Sequence, residues 1–109
     1  AMEMDAGRTL SVLRVDGGAS VSDFLMQFQA DILGRAVLRP AIRETTALGA
    51  AYLAGLAAGV WSGTGELRRL WRCDTTFSPA MEEDRRASLL ADWHRAVVRC
   101  RGWARENPT

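Results

Sequence analysis

The chain has 109 residues, which is the length of one domain at most. Apolar residues make up 48% and charged residues 25%, the composition of a globular protein. The formal net charge of +1 gives no electrostatic reason to expect binding to nucleic acid or to an anionic membrane.

The two cysteines, Cys73 and Cys100, have no CxxC spacing. They fit neither a zinc site nor a disulfide-dense secreted scaffold, so we expect no metal site and a reduced, cytoplasmic environment. The first seven residues lack the basic and apolar regions of a signal peptide. They are typical of a frayed helix that ends at Gly7, which is unusual for a natural start and suggests a fragment.

The first predicted elements are a strand over residues 10–15 and a helix over residues 22–33, separated by Gly17 and Gly18. The strand has apolar side chains on both faces, which indicates burial on both sides and a parallel sheet. Ser20 or Ser22 is the expected N-cap of the helix, and Gly34 its end. The expected apolar stripe of this helix consists of Phe24, Leu25, Phe28 and Ile32, with Met26 as a core residue.

The glycine pair suggests contact with a phosphate or a nucleotide. Backbone N–H groups at the start of a helix favour an anion. Gly17 and Gly18 lack a Cβ, which allows positive φ and close approach of a ligand. An ordinary strand-to-helix turn is the alternative, because the dinucleotide-binding pattern contains more glycines.

Residues 36–39 predict a second strand, stopped by Pro40. Strand, helix and strand over about 30 residues form a right-handed βαβ unit with a parallel pair. A second helix is predicted over residues 46–62, capped by Thr45 or Thr46 and without any charged residue. It is short for a membrane span and rich in Ala and Gly, so we expect a buried helix packed closely against a sheet or another helix.

The remaining chain predicts a short helix over residues 66–72, a loop over 74–79 and a long helix over 80–105. The apolar stripe of the long helix consists of Leu89, Leu90, Trp93, Ala96, Val97, Cys100 and Trp103. Glu44 and His94 are the isolated candidates for a functional side chain. For Glu44 a capping or solvated role is favoured, and for His94 a structural or solvated role.

Four segments together carry a specific resemblance: VDGGAS from Val15, FLMQFQADILG from Phe24, RP from Arg39 and ETTALGAAYLAGLA from Glu44. They resemble the C-terminal domain of the glycerol kinase branch of the FGGY carbohydrate kinase family. The likeness is strong over residues 11–61 and weaker beyond them. Asp16 before the glycines and the FLMQFQ run favour this branch over the sugar kinases.

The resemblance implies an ATP-dependent kinase with an actin-like fold of two ribonuclease-H-like domains. Its reaction would convert glycerol and MgATP to glycerol 3-phosphate and ADP. Residues 1–109 would then be a C-terminal part of the C-terminal domain, an α/β fragment with two parallel strands and three main helices. The catalytic carboxylate and the glycerol-binding residues of the family belong to segments outside this chain, so we expect no catalytic residue here and no activity of the chain alone.

The resemblance also assigns a nucleotide-binding role to Gly17, Gly18, Ala19 and Ser22, on the adenosine side of the cleft. Gly18 matches a residue that contacts the nucleotide, and Gly17 and Ala19 flank it. Ser22 replaces the usual asparagine of the family, and its side chain is shorter and lacks the amide donor and acceptor pair.

Three alternatives remain open at this point. The chain is alternatively a non-catalytic nucleotide-binding or interaction module of the same half-fold, part of another FGGY sugar kinase, or a small membrane-associated protein built on residues 46–61. We further expect a homo-oligomer, because the predicted strands lack the polar alternation of one-sided strands and leave an apolar edge.

Overall fold

The computed structural model describes residues 2–102, except the side chain of Met2. The helices are α1 (Met2–Ala6), α2 (Asp23–Leu33), α3 (Thr45–Ala57), α4 (Thr64–Leu70) and α5 (Glu83–Cys100). The strands are β1 (Val12–Arg14), β2 (Ala36–Pro40) and β3 (Cys73–Phe77), and a short 3-10 helix covers Gly18–Val21. The predicted α/β class is confirmed. Trp103 and the predicted helical residues 103–105 lie outside the described residues.

The strands form one sheet in the order β1-β2-β3. The β1 and β2 strands pair in parallel, with Leu13 opposite Val37, so the predicted βαβ unit is confirmed. The β3 strand pairs antiparallel with β2, with Val37 opposite Phe77. The sequence predicts two strands and a loop over residues 74–79. This prediction was wrong, because residues 73–77 form a third strand. The polar sequence CDTTF concealed this edge strand, which buries only Phe77.

The core of the described structure is small. The buried apolar residues are Met26 and Ala30 from α2, Val37 from β2 and Phe77 from β3, and Leu13 and Val15 pack against them partly buried. The predicted apolar stripe of α2 does not face this core, because Phe24 is 82% exposed and Phe28 is 42% exposed. The helix uses its other face instead, since Met26 and the small Ala30 are four residues apart and let the backbone approach the sheet.

The helix α3 is shorter and far more exposed than the sequence indicates. It ends at Ala57, Gly55 is its one fully buried residue, and Leu53 is 71% exposed. The expectation of a buried helix is therefore wrong for this chain, because the described elements of the first unit do not cover it. None of the helices within residues 2–102 is both long enough and apolar enough to cross a membrane.

The Trp61 ring packs against the one buried glycine of α3. A Cβ on Gly55 would lie 2.1 Å from the ring carbon Cζ3 of Trp61. The same ring meets Tyr52 edge-on, with the two ring centroids 5.3 Å apart. Glycine at position 55 therefore permits a contact that any side chain would prevent.

The chain divides into two compact units, Ala1–Pro79 and Ala80–Thr109. The second unit contains α5, which begins at Glu83 and ends at Cys100, inside the predicted bounds. Glu83 and Asp84 lie in its first turn and Arg99 in its last, as the helix dipole favours.

We expect the isolated chain to self-associate through the free edge of β1 or the exposed face of α3. An unpaired strand edge and a contiguous apolar surface both favour association with another chain. Light scattering at micromolar concentration measures the mass. A monodisperse monomer with cooperative unfolding would contradict this expectation and show that the small core suffices.

Gly55→Ala is expected to lower the free energy of unfolding by ~1–3 kcal/mol, because the added methyl overlaps the rigid Trp61 ring. Gly49→Ala is the matched control in the same helix, since its Cβ meets no atom within 4 Å. That variant should raise stability by up to ~1 kcal/mol through helix propensity. Urea unfolding of both chains compares them, and equal stabilities would disprove the close contact at Gly55.

Candidate functional site

The glycine turn, residues 16–22, connects β1 to α2. The N–H of Gly17 donates to the carbonyl oxygen of Arg43 at 3.0 Å. The hydroxyl of Thr45 donates to the carboxylate of Asp16. Both bonds attach the first part of the turn to the segment that enters α3.

The two glycines of the turn have different backbone conformations. Gly17 has φ +77° and ψ −179°, a region that a residue with a Cβ adopts only under strain. Gly18 does not have a positive φ, and it begins the 3-10 helix. Of the two glycines, only Gly17 therefore adopts the backbone conformation that requires glycine. A Cβ on Gly18 would meet no atom within 4 Å, which leaves open space beside this backbone.

The 3-10 helix rests on the side chain of Ser20, which is 1% exposed. The Ser20 N–H and hydroxyl both donate to the carbonyl oxygen of Gly17, at 3.1 and 2.7 Å. Gly18 and Ala19, in contrast, are exposed. The turn therefore presents two small residues to solvent, and hydrogen bonds of Ser20 hold the backbone beneath them.

Ser22 caps α2, as one of the two expected candidates. Its hydroxyl accepts a hydrogen bond from the N–H of Leu25 at 3.3 Å. The 3-10 helix, which begins at Gly18, lies between Gly17 and this N-terminus, and Asp23 is in the first turn of α2. The carboxylate of Asp23 is paired with the guanidinium of Arg39, and that of Asp16 accepts the hydrogen bond of Thr45.

Arg39 on β2 lies beside the turn and was missed as a candidate by the sequence analysis. Its side chain is 7% exposed, and its Nη1 donates to the carboxylate of Asp23 at 2.7 Å. This hydrogen bond raises the pKa of Arg39 above its ordinary value, although burial acts in the opposite direction. The sequence contains one sign of this role. Arg39 lies two residues after Val37 in the strand, so its charged side chain is on the face that packs in the core.

A cavity with a volume of about 870 Å³ lies near the turn. Its walls come from α3, α4, the end of β1 and the segments that follow β2 and α4. The guanidinium carbon of Arg14 lies 4.3 Å from the centroid of Trp71 at this cavity. Thr45 lines the cavity and also bonds Asp16, so one hydrogen bond connects the cavity wall to the turn.

The other candidate side chains show no organised site. Glu44 is at the N-cap position of α3, but its side chain makes no capping hydrogen bond. His94 is exposed on α5. Cys73 and Cys100 are exposed free thiols. Within residues 2–102 there is no group of three or more His, Cys, Asp or Glu side chains that would hold a metal ion.

Comparison with known families decides between the alternatives for the fold. Residues 1–58, more than half of the chain, match the FGGY family of carbohydrate kinases, C-terminal domain. The chain belongs to the FGGY family. The matched segment contains the whole glycine turn together with β1, α2, β2 and α3.

Several curated relatives of this FGGY chain are glycerol kinases. The glycerol kinase of Dechloromonas aromatica is 65% identical over 104 residues, which cover 95% of the chain. The crystal structure of Plasmodium falciparum glycerol kinase with ADP is 35% identical over 90% of the chain, with a TM-score of 0.75. The chain spans about a fifth of the length of each of these proteins.

A more distant structure supports the fold alone. The ligand-bound xylulose kinase from Lactobacillus acidophilus is 21% identical over 84% of the FGGY chain, with a TM-score of 0.64. The arrangement of helices and strands is therefore shared across kinases whose sequences have diverged widely.

Proposed function

We propose that this FGGY chain is part of a glycerol kinase that transfers the γ-phosphoryl group of ATP to glycerol, giving glycerol 3-phosphate and ADP. The 65% identity to a glycerol kinase over 95% of the chain is the observation that carries the proposal. Residues 1–109 are then a C-terminal part of the C-terminal domain. Similarity to xylulose kinase, at 21% identity, supports the fold and gives no reason to prefer a sugar as substrate.

The part of the reaction assigned to this chain is nucleotide binding by the glycine turn. Gly17, Gly18, Ala19 and Ser22 are proposed to contact the adenosine side of ATP or ADP. Exposure of Gly18 and Ala19, and the open space beside the Gly18 backbone, support this assignment. The side chain of Ser22 caps α2 and leaves fewer free N–H groups for a phosphate, which favours a neutral base or sugar at this place.

The chemical step is proposed to depend on other segments of the protein. Phosphoryl transfer is catalysed by positioning and by charge stabilisation from metal ions and phosphate-binding groups. Mg²⁺ is usually held by one or two carboxylates together with the nucleotide phosphates, and those carboxylates are proposed to lie in the same other segments. The glycerol site is likewise assigned to other segments, and the chain alone is expected to be inactive.

The cytoplasm is the proposed compartment, because it supplies the ATP that the reaction consumes. A homo-oligomer is the proposed assembly, supported by the exposed apolar surface of α3.

Gly18→Val in the full-length kinase is expected to raise the KM for ATP about tenfold or more, with little change in the KM for glycerol. Position 18 has an ordinary φ and open space, so valine is tolerated by the fold and its methyl groups fill the space proposed for the nucleotide. Steady-state kinetics with each substrate varied gives both constants. Gly49→Ala serves as a glycine control, and an unchanged KM for ATP in Gly18→Val would remove the glycine turn from the nucleotide site.

Ser22→Asn in the full-length kinase is expected to tighten ADP binding by ~1 kcal/mol, about fivefold in Kd. Asparagine caps helices as well as serine does, so α2 keeps its N-cap while the longer amide reaches the ligand. Calorimetric titration with ADP measures the affinity. Weaker binding would mean that position 22 acts only as the helix cap.

A further inference from the structure

Arg39 is a positively charged residue on the face of β2 that packs in the core. It lies two residues after Val37 on the same face of the strand, and both are buried. A buried arginine is costly unless its donors and its charge find partners. Its contacts therefore identify what the residue is for.

The guanidinium contacts both the glycine turn and the edge strand β3. Its Nη1 donates to the carbonyl oxygens of Ser20 at 3.0 Å and Val21 at 3.4 Å, besides the carboxylate of Asp23. Its Nη2 donates to the hydroxyl of Thr75 at 3.1 Å. Its Nε lies 3.4 Å from a carboxylate oxygen of Asp74, and its Cζ lies 5.1 Å from the ring centroid of Phe77.

We propose that Arg39 is a positioning residue that holds the glycine turn in the conformation that receives the nucleotide, an inference that rests on the proposed function. The bonds of Asp16 and Gly17 hold the first part of the turn. Arg39 holds the last part through the carbonyl groups of Ser20 and Val21. A turn that is ordered before binding loses less conformational freedom when the ligand arrives.

The planar shape of the arginine side chain matters for this role. A guanidinium presents donors in several directions in one plane, whereas an ammonium is a single compact charge. Lysine at position 39 is therefore expected to keep the ion pair with Asp23 and to lose part of the remaining contacts. Methionine fills similar space without any donor, and the carboxylates of Asp23 and Asp74 are exposed enough to be hydrated after the change.

The test uses the full-length kinase with Arg39→Met and Arg39→Lys. We expect the Kd for ADP and the KM for ATP to rise about tenfold in Arg39→Met, the effect of losing hydrogen bonds to a charged group. Arg39→Lys should recover part of this loss. The KM for glycerol should change by less than about twofold, because the proposed effect is confined to the nucleotide side.

Arg43→Met is the matched control. The side chain of Arg43 also lies near Asp74, with Nη2 at 3.7 Å from the carboxylate, but only its backbone carbonyl bonds the turn. This variant should bind ADP as the unmodified enzyme does. Equal weakening by Arg43→Met would mean that charge near Asp74, and not the guanidinium of Arg39, sets the affinity.

Hydrogen exchange of the unliganded enzymes separates positioning from a general loss of stability. In Arg39→Met the amides of residues 17–21 should exchange faster, while those of β2 and α5 keep their rates. Faster exchange throughout the protein would overturn the inference in favour of a merely structural role.

The outcomes also separate this inference from the proposed function. Weak ADP binding in Gly18→Val together with normal binding in Arg39→Met would overturn only the positioning role. Normal binding in both variants would overturn the proposed nucleotide site as well. If Arg39→Met does not fold, Thr75→Val removes one partner of the guanidinium, and it should raise the Kd about twofold to threefold and speed exchange in the turn. No change in either property of Thr75→Val would then count against the inference.

Discussion

The buried guanidinium of Arg39 is the interaction that connects the glycine turn to the edge of the sheet in the first unit. The unit has few buried apolar side chains, and its sheet has only three strands. One cation joins the 3-10 helix and the first turn of α2 to the edge strand β3, which is distant from both in the sequence. The contacts of Asp74 and Thr75 with this charge explain why β3 contains polar residues at these positions. A strand that buries little apolar surface is thus held partly by hydrogen bonds.

Apolar surface on the described elements exceeds what their own contacts bury. The helix α2 packs on the sheet through Met26 and Ala30 and presents Phe24 and Phe28 on another face. The helix α3 is similarly open, apart from Gly55 beneath the Trp61 ring. Such surfaces are typical of segments that pack against further parts of a protein. The relatives, about five times as long as this chain, are consistent with that interpretation.

The chemistry of the glycine turn differs from that of a phosphate-binding loop. A phosphate-binding loop places uncapped N–H groups of a long helix beside the anion. Here Ser22 caps α2, Asp23 occupies its first turn, and a separate 3-10 helix carries the exposed Gly18 and Ala19. Close approach to an uncharged backbone suits a base or a sugar. This distinction supports the assignment of the turn to the adenosine side of the nucleotide.

The sequence by itself determined the features that depend on neighbouring residues. The parallel βαβ unit and the end of α2 at Gly34 follow from apolar runs and capping residues within a few positions, and the structure confirms them. The sequence offered Ser20 or Ser22 as the cap of α2, and the structure shows Ser22. The FGGY family was also evident from the motifs around Asp16, Phe24 and Glu44, and the family match confirms it. The assignment of Gly17, Gly18, Ala19 and Ser22 to the nucleotide stays a prediction.

Only the tertiary structure decided which faces are buried and which distant residues meet. Periodicity showed that α2 has apolar residues but did not show that Met26 and Ala30, rather than Phe24 and Phe28, face the sheet. The strand β3 was missed because its stability comes from pairing with β2 and from Arg39, neither of which is local to CDTTF. The partners of Arg39 lie 16 to 36 residues away along the chain. A charge in a strand indicates that partners are needed, but folding alone brings them within hydrogen-bond distance.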